Sequence, residues 1–416
     1  MGAGALLVTD VRGWQHASPQ RSSWFGPGLS LHQRVAGKLD PQRFPSDLLH
    51  RERLGILISR QWKRSREKEA ETLLRKSLSI ARERDDVYEI DRSLFNLMYL
   101  ARRNPEPEQD LMEMARERIA LFRKIDAPHE LLADALSGVG PFTRGFAQAE
   151  EGQQMTLEGL ALHRKIGGKY GEAIALTHLG CFAAEFGQCQ QALDYFRESI
   201  LLCREIGAQA RLARRLAWAA EMNTLLGNFN SSQADVEEAY AIAKAGNHQW
   251  ALRVTLTQLG IHACLLDEDY TRGQQLCEES ISLGSGLGYD ACLNTWGVAL
   301  ACCGSSNWPI ARQHCQTGLR LSHDLPFVPV MLGCLAVAAC IVAHEGRSEQ
   351  AVEWLALASS YPTDGTGWMQ HWQMLSRVKA DLEADLRAEV CAAAWERGKA
   401  LDLVTVVEEI LAKHGL

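Results

Sequence analysis

His371 stands between Trp368 and Trp372 in the stretch GWMQHWQM, where an imidazole flanked by two indoles could hold a ligand. Asp267-Glu268-Asp269 groups three carboxylates that could take a metal ion or a diphosphate. Arg60-Gln61-Trp62-Lys63-Arg64-Ser65-Arg66 joins cations to an indole, a combination that grips phosphates and stacks bases. Cys302-Cys303 offers two soft metal ligands, without the further partners that a tetrahedral site needs. In each case the surroundings favour a plainer role: the acids and the basic run fall in turns between helices, and the aromatics in a terminal packing segment. The sequence contains no CxxC pair, HExxH helix, EF-hand loop or Ser nucleophile elbow. GGKYGE at Gly167 to Glu172 lacks the spacing of a phosphate loop, and GSGLG at Gly284 to Gly288 follows a helix where a strand is required. No catalytic residue, cofactor or metal is expected, and the chain is not expected to be an enzyme.

The elements that would position these residues are helical. At 416 residues the chain exceeds one compact core, and it has 7% aromatic residues with few β-branched clusters. Charge is uneven: Met1 to Asp126 holds 23 basic and 18 acidic residues, and the remainder 21 and 33. The acidic body argues against a nucleic-acid surface, which rests on Lys and Arg neutralising phosphates. All 12 Cys lie beyond residue 180, mostly on helix faces, which points to reduced thiols packed as small hydrophobes in a cytoplasmic protein. The N-terminus carries no secretory signal. The uncharged run Phe327 to Ala343 contains Pro329 and Gly333 and falls on a repeat helix, so a buried packing helix is expected rather than a membrane span.

The helices repeat. Six segments end alike, at Asp85, Asp126, Gly167, Gly207, Asn247 and Gly288, with gaps of 40 or 41 residues. Each ending sets an acid at its start and a base near its end, a polarity that suits the helix dipole, and stops on a residue able to adopt the left-handed cap. The unit Leu179 to Gly207 reads as a helix, a turn at Gly187, a second helix and a Gly stop. First helices align too: ALSGVGPF at Ala135 to Phe142 matches ALTHLGCF at Ala175 to Phe182, with Gly140 and Gly180 equivalent. A recurrent helical Gly implies close approach of a neighbour. Two further units have turns near Ser306 and Gly346. Hairpins of this kind bury their apolar faces by stacking, which predicts a right-handed α-solenoid of about eight antiparallel helix pairs.

The expected organisation is an irregular leader over 1–53, a repeat array over 54–362 and a helical cap over 363–416. In the cap, a helix is expected from about Met369 to Trp395, then a Gly stop at Gly398 and a final amphipathic helix. On the concave face, Asn96, Ser137, Thr177, Ala217, Thr257 and Trp296 occupy equivalent places facing the groove. Glu221, Asn223, Gln258 and Asn294 are neighbours that could reach the same surface. Most are small or neutral, so a broad polar trough is expected.

The unit resembles a tetratricopeptide repeat: Leu176, Leu179 and Gly180 match the first helix of that pattern, and Ala192 with Phe196 the second. Leu176 replaces the usual Trp, Ala183 the Tyr and Arg204 the terminal Pro, and the period is nearer 40 than 34. Longer repeats of this kind are similar to the sensor arms of bacterial signal-transduction ATPases and of transcription regulators built like the maltose activator. The tail from Trp395 to Leu403, with Val406, Val407 and Leu411, resembles the closing segment of such arms. The resemblance implies a non-catalytic scaffold that binds a protein or peptide in its concave groove. Its alternative is a signalling or regulatory arm with a small-molecule effector; neither membrane nor nucleic acid is an expected partner.

Overall fold

The computed structural model describes residues 67–101, 108–142, 148–284, 289–325 and 327–412. The leader, the basic run at Arg60 to Arg66 and the stop at Gly288 lie outside the described residues. The chain divides into two compact units, Met1–Glu89 and Ile90–Leu416. In the first, α1 (Glu67–Glu83) is closed by Asp85, whose φ of 51° lets the Asp86 amide donate to the Ala81 carbonyl at 3.0 Å.

The second unit is a right-handed α-solenoid with seven antiparallel helix pairs among the described residues. They are α2 (Val87–Ala101), which belongs to this unit from Ile90 onward, with α3 (Glu108–Lys124), α4 (His129–Ser137) with α5 (Ala149–Ile166), and α6 (Lys169–Glu185) with α7 (Cys189–Glu205). They continue as α8 (Gln209–Leu226) with α9 (Phe229–Ala245), α10 (Gln249–Leu266) with α11 (Tyr270–Ser282), α12 (Tyr289–Gly304) with α13 (Trp308–Asp324), and α14 (Val328–His344) with α15 (Ser348–Ser360). The two helices of a pair differ in how much they bury. α7 buries a stripe, Cys189, Ala192, Leu193, Phe196, Ser199, Ile200 and Cys203, whereas α6 buries residues almost all round. A first helix is therefore enclosed by its own partner and by both neighbours, and a second helix keeps one wet face.

The stops behave as the sequence implies. Asp126, Gly167, Gly207 and Asn247 all have positive φ, and the amides of Ala127, Gly168, Ala208 and His248 each reach a carbonyl five residues back. That is the Schellman closure, available to Gly and tolerated by Asp and Asn. The uncharged run becomes α14, buried along its length. Among the described residues no helix is long and apolar enough to cross a membrane. All 12 cysteines are free and all but Cys391 are buried. Burial pushes the Cys277 and Cys292 thiols up to about 12 and Cys302 to about 11, so they stay protonated.

Three local expectations are corrected. The first helix at Ala135 ends at Ser137, and Gly140 lies in a separate 3-10 turn, Gly140–Phe142, because Pro141 cannot continue the ladder. The helix expected from Met369 to Trp395 is two, α16 (Gln373–Asp385) and α17 (Ala388–Lys399), separated at Leu386 and Arg387 by extended backbone, and the expected final helix follows as α18 (Leu403–Ala412). Gly398 is not a stop. It lies inside α17 where a Cβ would fall 2.2 Å from the Glu353 carbonyl oxygen, so it permits α17 to pack on α15.

Between α15 and α16 the chain leaves the end of the array. Residues 361–372, which include a 3-10 turn at Gly367–His371, touch turns and helices from α6 to α12. The Asp364 carboxylate accepts from the Cys189 amide at 2.6 Å and the Gln190 amide at 2.8 Å, capping α7 from 175 residues away. Thr363 donates to the Gly187 carbonyl. Gly367 meets the α8 to α9 turn so closely that a Cβ would lie 2.2 Å from the Leu226 carbonyl oxygen. Trp368 and Trp372 are fully buried, the former 4.9 Å from Trp296 in α12.

Candidate functional site

The expected groove residues can now be placed. Thr177 donates to the Ala173 carbonyl at 2.7 Å and lies 3.0 Å from Ser199 on its own second helix. Two repeats later, Thr257 makes the same link to Ser280 at 2.9 Å and accepts from the Asn294 amide at 2.9 Å. Ser137 is pressed against Gly159 of α5, and Ala217 is fully buried. Trp296 is 0% exposed, wedged between Gly333 and Trp368. Asn96 is half-buried and bonded to the Arg92 carbonyl within its own helix. Asn223 donates to Asp235 of α9 at 2.9 Å, and Gln258 accepts from Thr224 at 3.2 Å. Glu221 and Asn294 are each 5% exposed.

The groove-facing placement is therefore corrected: apart from half-buried Asn96, the side chains in this set are buried, and most are packed between helices. The reason is angular. A residue advances about 100° around an α-helix, so an error of one position turns a trough residue into a hairpin-packing one. Half-exposed positions of the first helices include Tyr170, Ile174 and His178 in α6, with Ala210, Arg214 and Trp218 at the same places in α8. Trp250 and Asp290 continue the first of these columns into α10 and α12. Gln258 and Asn294 fall on the register as well, but their neighbours close over them.

This register brings together aromatic and basic groups that the sequence reading missed. The Arg214 guanidinium lies 4.7 Å from the ring centre of Trp218 and 4.5 Å from that of Trp250, and the two indoles meet edge to face at 5.3 Å. Arg211 lies over Tyr170, 4.6 Å from its ring centre, and donates to its hydroxyl. Arg253 pairs with Asp290 at 2.6 Å. Burial raises the Asp290 carboxyl, while Arg253 and Trp250 draw it back down. Glu221, two turns along α8 from Arg214, has its carboxyl pushed up to about 8 by burial and then by Asp290. The signal was present as forty-residue columns, Tyr170, Ala210, Trp250 and Asp290 seven residues before the column that was read, and His178, Trp218 and Gln258 one residue after it.

The other candidate groups have structural roles. Glu268, at φ 51°, forms the tight turn after α10 and pairs with Arg377, while Asp269 caps α11 by accepting from the Arg272 amide at 2.9 Å. His371 is exposed, with its ring 4.6 Å from that of Phe229. Among the described residues no cluster of three or more His, Cys, Asp or Glu could hold a metal ion.

The chain is similar to tetratricopeptide-repeat proteins. Residues 168–226 match the sequence profile of the anaphase-promoting complex subunit 5 family. Solved structures that resemble it include the apo form of the quorum sensor NprR from B. thuringiensis, at 12% identity and a TM-score of 0.44, covering 80% of this chain and 99% of that one. Yeast Tom70 follows at 10% identity and a TM-score of 0.33, covering 80% and 89%. The P58(IPK) tetratricopeptide domain has 11% identity and a TM-score of 0.27, covering 81% and 99%. No curated protein matches the sequence.

Proposed function

We propose that this chain is a non-catalytic helical-repeat scaffold that binds an extended segment of a protein or peptide partner along the trough of its first helices. The observation that carries this reading is the stretch 361–372, which the array already holds as it would hold a peptide. Its acid sits on free helix amides, its hydroxyl meets a turn carbonyl, and its indoles fill space between first helices. A solenoid that seats twelve of its own residues in this manner has the shape and unpaired backbone donors to seat those of another chain. The half-exposed Trp218 and Trp250 supply the large, rigid contact area that concentrates binding energy.

The test uses a labelled peptide copying residues 359–374 and the full chain in two forms, native and Asp364→Ala with Trp368→Ala. The opened variant is expected to bind the peptide in trans, and the native chain to bind it at least about tenfold more weakly because its own segment competes. Trp218→Ala with Trp250→Ala, placed in the native background, is expected to abolish capture of partner proteins. Failure of the opened variant to bind the peptide overturns the reading.

A further inference from the structure

We propose that the partner segment carries the chemistry of residues 364–372 themselves: an acid, a glycine three positions after it, and tryptophans four and eight positions after it. This deepens the trough-binding reading and rests on it.

The acid is read by backbone. Cys189 and Gln190 are the first two residues of α7, and Gln188 before them makes no side-chain cap, so the helix start presents its amides to an acceptor from elsewhere. Both Asp364 oxygens are used, one on each amide, at 2.6 and 2.8 Å. The positive end of the helix dipole favours an anion at this place. An asparagine would keep one acceptor and turn an amide donor toward the other N–H. Beside the acid, Thr363 donates to the Gly187 carbonyl and accepts from the Gly365 amide at 3.1 Å, which holds the segment on the α6 to α7 turn.

The glycine is read by exclusion. A Cβ on Gly367 would lie 2.2 Å from the Leu226 carbonyl oxygen, 2.4 Å from the carbonyl carbon and 2.9 Å from the Gly227 amide nitrogen. All three are backbone atoms, which cannot swing away as a side chain would. The approach is mutual, since a Cβ on Gly227 would fall 3.1 Å from the Gly367 carbonyl oxygen. Gly365 is held less strictly, because its Cβ would meet the Cys189 thiol, at 2.8 Å.

The indoles are read by shape. Trp368 and Trp372 are both 0% exposed, with ring centres 6.0 Å apart. Trp368 meets Trp296 of α12 edge to face, and Trp296 has room because a Cβ on Gly333 of α14 would fall 2.6 Å from its indole nitrogen. Indoles buried in this way carry a large share of recognition energy. Positions 366 and 370 are half-exposed and exposed, so the motif is free there. The chain's own segment is tethered at an effective concentration on the order of millimolar, so a partner missing any of the read residues competes poorly with it.

The experiment measures binding of labelled 359–374 peptides, by fluorescence anisotropy, to the full chain opened by Asp364→Ala with Trp368→Ala. Circular dichroism verifies that the opened chain keeps its helix, and Asp364→Ala alone replaces it as receptor if it does not. Relative to the native-sequence peptide, affinity should fall about tenfold with Asp364→Asn and about a hundredfold or more with Gly367→Ala or Trp368→Ala. Gln370→Ala should change it less than about twofold. A receptor that also carries Gln190→Pro loses one of the two amides at a place where the array already accepts proline, since Pro309 and Pro329 stand second in α13 and α14. On that receptor the ratio of affinities for the Asp and Asn peptides should shrink about threefold or more, which a general weakening of the array would not produce. An undiminished ratio overturns the amide seat. If the native-sequence peptide binds and the Asp364→Asn and Gly367→Ala peptides bind within about twofold of it, this inference falls and the trough reading stands. If no peptide binds, both fall.

Discussion

At the residue scale, two side chains test how the first helices are packed. Glu221 is a carboxylic acid in an apolar setting whose ionisation is disfavoured by burial and by Asp290, so that it titrates at about 8 when folded against an ordinary 4.5. Between those values the folded chain holds a proton that the unfolded chain releases, so stability falls as pH rises through that window. Glu221→Gln removes the ionisation. Relative to the native protein, its stability advantage should widen by about 3 kcal/mol between pH 5 and pH 8, measured by urea unfolding at both. A constant difference would mean that Glu221 is not held protonated. His262 acts with the opposite sign: burial lowers it to about 4, so its contribution is lost as pH falls from the ordinary histidine range toward 4. Gly180 tests contact instead of charge. The ring of Phe196 lies where a Cβ would come within 2.5 Å, so Gly180→Ala should lose about 1–3 kcal/mol to overpacking despite its better helix propensity. Phe196→Leu in the same chain should recover part of that loss, and additive losses in the double variant would argue against the contact.

At the element scale, the acid that opens each second-helix ending and the base near its close turn out to bind different partners from the helix dipole to which the pattern was assigned. Arg123 of α3 reaches Glu158 of α5, Arg164 of α5 reaches Glu198 of α7, and Arg204 of α7 reaches Glu238 of α9. The base of one repeat thus pairs with the acid of the next, forming a ladder across the wet face of the second helices. Every rung is about half exposed, so Arg204→Ala should cost less than about 1 kcal/mol, and the cost should shrink further in high salt. A charge-swapped Arg204→Glu with Glu238→Arg should regain what Arg204→Glu alone loses; a swap no better than the single change would show that the rungs do not interact. The ladder illustrates what could be read in advance. Helices and stops were legible because they depend on local chemistry: apolar spacing, and Gly, Asp or Asn at left-handed caps. The angular setting of a first helix was not, because α6, α8 and α10 are buried nearly all round and leave no polar stripe to mark the trough. Thr177 and His178 are adjacent, yet one meets Ser199 of its own hairpin and the other the Ser137 carbonyl of the preceding repeat.

At the scale of the whole second unit, residues 361–372 change the kind of cooperativity to be expected. A linear array of hairpins has only nearest-neighbour interfaces, so its repeats can fray or open in blocks. Here Asp364 and Thr363 fasten the α6 to α7 turn to a segment that continues through Trp368 and Trp372 into α16, which packs on α14. No local sequence signal announces this link, since its partners are about 175 residues apart and the bonds use backbone amides that every helix start exposes. The link closes the repeats from α6 to α14 into one cooperative body. Native protein should therefore unfold with coincident transitions by far-ultraviolet circular dichroism and by tryptophan fluorescence. Asp364→Ala removes a double cap worth about 1–2 kcal/mol, and Trp368→Ala removes an indole buried between first helices, worth about 3–5 kcal/mol. Together they should do more than lower the midpoint: the fluorescence change from the 361–372 region should come first, the loss of helix later, and the apparent m-value should drop as two-state behaviour fails. Coincident transitions with an unchanged m-value in the double variant would show that the array was cooperative without its strap.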